Sequence, residues 1–141
     1  MAGSKIIGIY IGLVRRPYRF VIRRRISSRL ENFELHHPAS LREFVAELLE
    51  VFTTESSNFM TALAQLDDKE FMSSKHKTRR YFAESKELLY IGNPKLADKF
   101  AREHSGFWFV TNIGAKEVSH ISHMIAQVAN VPCQSISKLS L

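Results

Sequence analysis

The chain has 141 residues, 45% of them hydrophobic, and this length suits one packed core with a short appendage. Cys133 is the only cysteine, so an internal disulfide is excluded and a structural thiol is expected. The apolar run over residues 6–14 is too short to cross a bilayer. We therefore expect a cytoplasmic protein that does not enter a membrane.

Positive charge is concentrated at the N-terminal end of the sequence. The formal net charge is +6, but the first 30 residues carry eight basic and no acidic side chains. The rest of the chain carries 12 basic and 14 acidic side chains. Seven of the first eight are arginines, whose forked guanidinium fits a phosphate group better than a lysine does. The pattern predicts a polyanionic partner, with nucleic acid favoured over an acidic protein or an anionic membrane surface.

The N-terminal segment is predicted to form two strands and a short helix. Residues 5–14 are rich in β-branched side chains, and residues 18–26 form a second, basic strand. With residues 15–17 as the turn, the two strands would form a hairpin; an arm that orders only on a partner is the alternative. A serine cap predicts a short helix over residues 28–35.

A domain boundary is predicted where Pro38 follows two histidines, because this sequence interrupts any helical pattern. It separates a basic N-terminal arm, residues 1–38, from one domain, residues 39–141. Ser40 and Glu43 have the spacing of a capping box and predict the start of an amphipathic helix.

The rest of the domain is predicted to contain a second helix and then alternating strands and helices. Apolar residues between positions 59 and 66 indicate the helix, and the polar stretch from Asp67 and Asp68 is predicted to end it. The elements predicted beyond it are strands over residues 79–83, 88–91 and 107–110 and helices over residues 95–104 and 116–130. Helices followed by a small sheet with flanking helices define an α+β fold.

Four sequence blocks occur in the order found in a known family. They are residues 44–52 with Phe59 beyond them, Lys-Thr-Arg-Arg-Tyr-Phe-Ala over residues 77–83, Trp-Phe-Val-Thr-Asn over residues 108–112, and the helical pattern of residues 119–132, which ends in a proline. In these blocks the chain resembles the C-terminal domain of SeqA, the negative modulator of replication initiation. The resemblance implies an α+β domain that binds hemimethylated GATC sites in duplex DNA.

The resemblance also implies roles for individual residues. It implies that Lys77, Thr78 and Arg79, with Arg80 as a neighbour, contact DNA phosphates. It places Thr111 and Asn112 in a loop that faces the bases, and Gly114 and Lys116 at the end of that loop. Cationic and hydroxyl groups position a protein on the DNA backbone without reading sequence. An asparagine amide can pair with a base edge in the major groove.

The loop departs from the family pattern in two respects. The family has a second asparagine two residues after the first, whereas this chain has Gly114 there and the loop is one residue shorter. One amide therefore stands where the family has two. The resemblance implies duplex binding more directly than it implies selectivity for methylated adenine.

We therefore expect a nucleoid-associated protein that binds double-stranded DNA and acts in replication control or chromosome organisation. Sequence or hemimethylation would influence its binding, and Arg23, Arg24 and Arg25 would add sequence-independent contacts. The arm would alternatively supply a strand for self-association into a homo-oligomer. A protein–protein adaptor or self-assembling module, whose arm docks on an acidic partner, is the competing interpretation.

Catalysis is not expected from this sequence. We find no phosphate-binding glycine loop, nucleophile motif or paired carboxylates at a recognisable spacing. His120 and His123 lie three residues apart on a predicted helix, but the sequence offers no further ligands at a suitable spacing. We therefore expect neither a metal nor another cofactor.

Overall fold

The computed structural model describes residues 4–13, 18–35 and 40–135. These residues form an α+β structure with two sheets, which confirms the predicted fold class. In chain order the elements are β1 (Ser4–Gly12), β2 (Arg19–Ile26), β3 (Arg29–Leu35), α1 (Leu41–Glu55), α2 (Phe59–Ser73), β4 (Phe82–Ala83), a 3-10 turn (Lys86–Leu88), α3 (Pro94–Lys99), β5 (Ala101–His104), β6 (Phe107–Val110), α4 (Ala115–Ala129) and β7 (Cys133–Ser135).

The chain divides into two compact units. The first combines Met1–Glu47 with Gly114–Leu141, and the second comprises Leu48–Ile113. The predicted boundary after residue 38 does not coincide with this division. The reason is that both ends of the sequence contribute strands to one sheet in the first unit.

The sheet of the first unit has the strand order β3-β2-β1-β7. β1 pairs antiparallel with β2, as the predicted hairpin requires, and β7 pairs parallel with β1 at Ile9 and Cys133. On the buried face, the rings of Phe20 and Phe44 stack with their centroids 4.2 Å apart. α4 also contacts β1 and buries an apolar stripe that includes Ile121. The predicted turn at residues 15–17 and the histidine–proline sequence at residues 36–38 lie outside the described residues.

The helix predicted over residues 28–35 is wrong, because this segment is strand β3. Ser27 adopts a positive φ of 58°, which allows a tight turn between β2 and β3. The strand then pairs along its length with β2, and Leu35 is buried opposite Phe20. Pairing with a neighbouring strand has overridden the local helical preference.

The second unit contains α2, α3 and the three-stranded sheet β4-β6-β5. The strand over residues 107–110 is confirmed as β6, and the second helix is confirmed as α2. The end predicted for this helix at Asp67 and Asp68 is wrong, because α2 continues through them to Ser73 with Asp67 on its buried side. The strand predicted over residues 79–83 is reduced to Phe82–Ala83, and the strand predicted over residues 88–91 is wrong, since a 3-10 turn ends there.

The helix predicted over residues 95–104 is correct only in its first half. α3 ends at Lys99, and Ala101–His104 forms strand β5 instead. Ser105 and Gly106 both have positive φ values, 51° and 85°, so the chain reverses in two residues and β5 pairs with β6.

The last helix agrees with its prediction. The helix predicted over residues 116–130 is confirmed as α4, and Asn130, with a φ of 57°, ends it in the left-handed conformation. No helix within residues 4–13, 18–35 and 40–135 is both long enough and apolar enough to span a bilayer.

Cys133 gives a testable prediction. Its thiol is half-buried in β7, and burial raises its pKa to about 11. Because the thiolate is the reactive form, we expect the native protein at pH 8 to react with a disulfide reagent roughly a hundredfold more slowly than the denatured protein. Stopped-flow absorbance with and without denaturant measures the ratio. Similar rates in the two states would contradict the described position of Cys133.

Candidate nucleic-acid interface

The carboxylate of Asp67 organises the segment that carries the predicted phosphate contacts. Asp67 lies on α2 and is fully buried. Its Oδ1 atom is 2.6 Å from Nζ of Lys77, and its Oδ2 atom accepts hydrogen bonds from the backbone N–H groups of Tyr81 at 2.7 Å and Phe82 at 2.9 Å. One carboxylate therefore holds both ends of the segment from Lys77 to Phe82.

Burial and hydrogen bonding act in opposite directions on Asp67. Burial raises the pKa of this carboxyl group, while the ammonium group of Lys77 and the two backbone N–H donors lower it. The buried charge is thus only partly compensated, and removing either partner would leave an isolated polar group in the interior.

The structure corrects the role expected for Lys77. Only 5% of its side chain is exposed, and its Nζ atom lies 3.4 Å from the centre of the Tyr81 ring as well as beside Asp67. A buried, paired ammonium group is not available to a DNA phosphate. Lys77 is therefore a structural residue of this segment and not part of the candidate surface.

Arg80 is also compensated by an acidic side chain. Its Nε atom donates a hydrogen bond to Asp68 Oδ1 at 2.8 Å, and its guanidinium lies 4.4 Å from the centre of the Phe71 ring. Arg80 borders the candidate site, but its charge is shared with Asp68.

Predicted residues from distant parts of the sequence meet at a cleft of about 390 Å³ in the second unit. Thr78 and Asn112 are exposed, and Arg79 is half-buried. The lining residues are Phe71, Thr78, Arg79, Arg80, Leu88, Leu89, Tyr90, Ile91, Asn93, Leu96 and Asn112. Four of the residues implied by the family resemblance thus lie around one opening.

Arg79 and Asn112 are hydrogen-bonded to each other. Nη1 of Arg79 donates to the side-chain oxygen of Asn112, and Nη2 donates to its backbone oxygen at 3.0 Å. Within the described parts of the chain, no carboxylate lies within ion-pair distance of Arg79. Arg79 is therefore a cation at an open cleft whose charge has no acidic partner there.

Tyr90 contributes a second contact to the amide of Asn112. Its hydroxyl group lies 2.6 Å from Oδ1 of Asn112 and 2.7 Å from the backbone oxygen of Phe100, and its single proton can serve one acceptor at a time. Burial raises the pKa of Tyr90, against the opposing effect of Arg79, so the hydroxyl stays protonated at neutral pH. Since Oδ1 faces these donors, the Nδ2 group is the part of the amide left for a ligand.

The remaining residues implied by the resemblance do not line this cleft. Thr111 is half-buried, and its backbone N–H donates to the Phe100 carbonyl at 2.9 Å. Gly114 precedes α4, where its N–H donates to the carboxylate of Glu117 at 2.7 Å, and Lys116 is exposed in the first turn. Gly114 and Lys116 belong to the first unit, whereas Thr111 belongs to the second.

The three consecutive arginines lie on β2 in the first unit and do not act as one group. Arg23 and Arg25 occupy one face of the sheet, and Arg24 occupies the face that also carries Phe20 and Ile22. The guanidinium of Arg24 lies 5.0 Å from the centre of the Phe33 ring, on that second face.

Asp67 and Tyr90 were not predicted as site residues. Asp67 had a detectable signal, because it follows Met60 and Leu63 at helical spacing and so places a carboxylate on the apolar side of α2. Tyr90 had none, since a tyrosine beside two leucines is typical of a buried strand.

Comparison of the chain with protein-family models, with curated proteins and with solved structures gives no match. The class of protein is therefore described from its own fold and cleft: it is an α+β protein with a hydrogen-bonded arginine–asparagine pair at an open cleft. No cluster of three or more His, Cys, Asp or Glu residues able to hold a metal occurs in the described portion of the chain.

Replacing Asp67 should destabilise the protein strongly. In Asp67→Ala, Lys77 becomes a buried, unpaired charge and two backbone N–H groups lose their acceptor, so the free energy of unfolding should fall by about 3–5 kcal/mol. Urea denaturation followed by circular dichroism measures this change.

The neighbouring Asp68→Ala variant is the matched control. Asp68 has a side chain 53% exposed, whereas that of its partner Arg80 is 16% exposed, so the loss of Asp68 should cost about 1–2 kcal/mol, less than the loss of Asp67. Equal effects of the two substitutions would show that the buried carboxylate does not hold the segment.

Proposed function

We propose that the protein binds duplex DNA without catalysing a reaction and that the cleft around Arg79 and Asn112 contacts the DNA. The observation that carries this proposal is the hydrogen-bonded pair itself. It joins a cation without an acidic partner to an exposed amide from a segment 33 residues away. These are the two chemical groups that a protein needs to grip a phosphate backbone and to read a base edge.

The residues of the cleft would divide these tasks. Arg79 would contact phosphate oxygens, and the exposed hydroxyl group of Thr78 would add a hydrogen bond to the same strand. Asn112, with Oδ1 held by Arg79 and Tyr90, would present its Nδ2 group. An amide that donates only would pair with acceptors in the major groove, such as adenine N7, guanine O6 and N7, or thymine O4.

The methylation state of adenine is a property of the DNA to which such a site would respond. The resemblance to the C-terminal domain of SeqA favours hemimethylated sites and a role in replication control or chromosome organisation. This chain offers one amide where that family has two, so any preference between methylation states would depend on Asn112. A protein–protein adaptor is the alternative, and titration of the protein with duplex DNA discriminates between the two.

Arg79→Ala should weaken binding to every duplex. We expect the wild-type protein to bind at micromolar concentration or below and the variant to lose about 1.5–3 kcal/mol, the range of a hydrogen bond to a charged group. The slope of log affinity against log salt should become shallower by about 0.9, because one phosphate is no longer neutralised. Fluorescence anisotropy with a labelled duplex at several salt concentrations gives both quantities.

Arg102→Ala is the control for this experiment, because Arg102 is an exposed arginine of the same unit that does not line the cleft. It should leave the affinity close to that of the wild type. If the wild-type protein showed no salt-dependent binding, the DNA proposal would be wrong and the adaptor would be favoured.

Asn112→Ala should reduce discrimination between DNA sites more than it reduces general affinity. Comparing unmethylated, hemimethylated and fully methylated duplexes of one sequence, we expect a loss of about 1–3 kcal/mol on the preferred duplex alone. Tyr90→Phe removes the hydroxyl group that contacts both Oδ1 and the Phe100 carbonyl but keeps the amide of Asn112, so it should lower the same preference by a smaller amount. Unchanged preferences in Asn112→Ala would contradict a base-reading role for this residue.

A further inference from the structure

The two faces of the sheet in the first unit carry different side chains. A β-bulge between Ile6 and Gly8 shifts the register of β1, so Lys5 and Tyr10 lie on the same face although they are five residues apart. The opposite face includes the fully buried Ile9 and Phe20 and also carries Arg24 towards the end of β2. The first face, which bears Lys5, Tyr10, Arg19, Arg23 and Arg25 around the buried Val21, is called the cationic face.

Positive charge dominates the cationic face. Lys5 lies directly opposite Arg25, and Arg23 is two residues further along β2, about 6.6 Å away on the same side. Glu34 neutralises Arg19 through a bidentate ion pair. Across residues 4–13, 18–35 and 40–135, no carboxylate lies within ion-pair distance of Lys5, Arg23 or Arg25.

The closely spaced cations of this face repel one another unless an anion is bound between them. Like charges directly opposite each other on neighbouring strands destabilise a sheet, and Lys5 and Arg25 are both exposed. A duplex carries about one negative charge per 1.7 Å of its axis, so its backbone can neutralise three neighbouring cations together.

The aromatic side chain on this face indicates which nucleic acid it fits. The ring of Tyr10 lies over Gly8, where an added Cβ would come within 3.2 Å of it, and the guanidinium of Arg23 lies 4.9 Å from the ring centre. The ring of Tyr10 is thus packed against its own sheet and paired with a guanidinium, which leaves it less available for stacking on a base. Asn32 accepts a hydrogen bond from Arg23 at 3.1 Å, so its side-chain oxygen is also engaged. Such a face suits the exterior of a duplex better than the unstacked bases of a single strand.

We propose that the cationic face is a second DNA-binding surface, which contacts the phosphate backbone of duplex DNA through Lys5, Arg23 and Arg25 without reading sequence. It shares its ligand with the proposed function but none of its residues with the cleft. Arg24, although it stands between Arg23 and Arg25 in the sequence, does not take part, because its side chain is on the other face.

The test is a salt titration of DNA binding by the full chain carrying Lys5→Gln, Arg23→Gln and Arg25→Gln together. The probe is a short fluorescent duplex of arbitrary sequence. The slope of log affinity against log salt should become shallower by about 2 to 3, near 0.9 for each phosphate that is no longer neutralised. The preference between methylated and unmethylated duplexes should not change.

Two controls separate this effect from a change in net charge or in folding. The triple variant Lys75→Gln, Lys95→Gln and Arg102→Gln removes the same charge from exposed positions of the second unit and should retain most of the wild-type slope. Arg24→Gln should also leave the slope unchanged. Thermal unfolding confirms that each variant is folded before it is titrated.

The outcomes distinguish the two surfaces. A wild-type slope in the cationic-face variant, or an equal reduction in the control triple variant, would overturn this inference. If the slope becomes shallower in the cationic-face variant but not in Arg79→Ala, the inference about the cationic face is supported and the proposed role of the cleft is contradicted. If the slope becomes shallower only in Arg79→Ala, the proposed role of the cleft is supported and the inference about the cationic face is contradicted.

Discussion

The geometry of the cleft depends on one buried carboxylate. Asp67 binds Lys77 on one side of the segment and the backbone of Tyr81 and Phe82 on the other. The residues between these anchors, Thr78 to Arg80, are consequently fixed in position at the lining of the cleft. A loop without regular hydrogen bonding can in this way present Arg79 at a defined place, because its ends are tied to a helix.

The cations of this segment have separate physical roles. Lys77 is buried and paired with Asp67, and Arg80 forms an ion pair with Asp68 on α2. Arg79 instead donates hydrogen bonds to Asn112. Counting basic residues in the sequence would treat the three as equivalent. Their surroundings distinguish them, since a charge contributes to binding only where solvent and ligand reach it.

Sequence patterns predicted the fold best where side-chain periodicity was strong. The apolar stripe of α4 and the aromatic run of β6 predict those elements correctly, whereas the sequence predicts helices at the positions of β3 and β5. Those two strands follow or precede turns in which Ser27 or Ser105 adopts a positive φ, a conformation that serine rarely signals. Their identity is set by pairing with a neighbour, which local sequence does not reveal.

The candidate site was predicted in part. The resemblance to a known family selected Arg79 and Asn112 separately, and the structure brings the two side chains together. The burial of Lys77 was not foreseen, because it requires knowing that α2 continues past Asp67 and directs that residue inward. Tyr90 lacked any pattern that relates it to a residue 22 positions away.

The parallel pairing of β7 with β1 has a consequence for biosynthesis. Residues 48–113 are contiguous, whereas the other unit is assembled from two stretches on either side of them. As the polypeptide leaves the ribosome, the edge of β1 that β7 covers stays open until Cys133–Ser135 has been translated. An unpaired strand edge can pair with other chains, so this edge is open to association until β7 is in place.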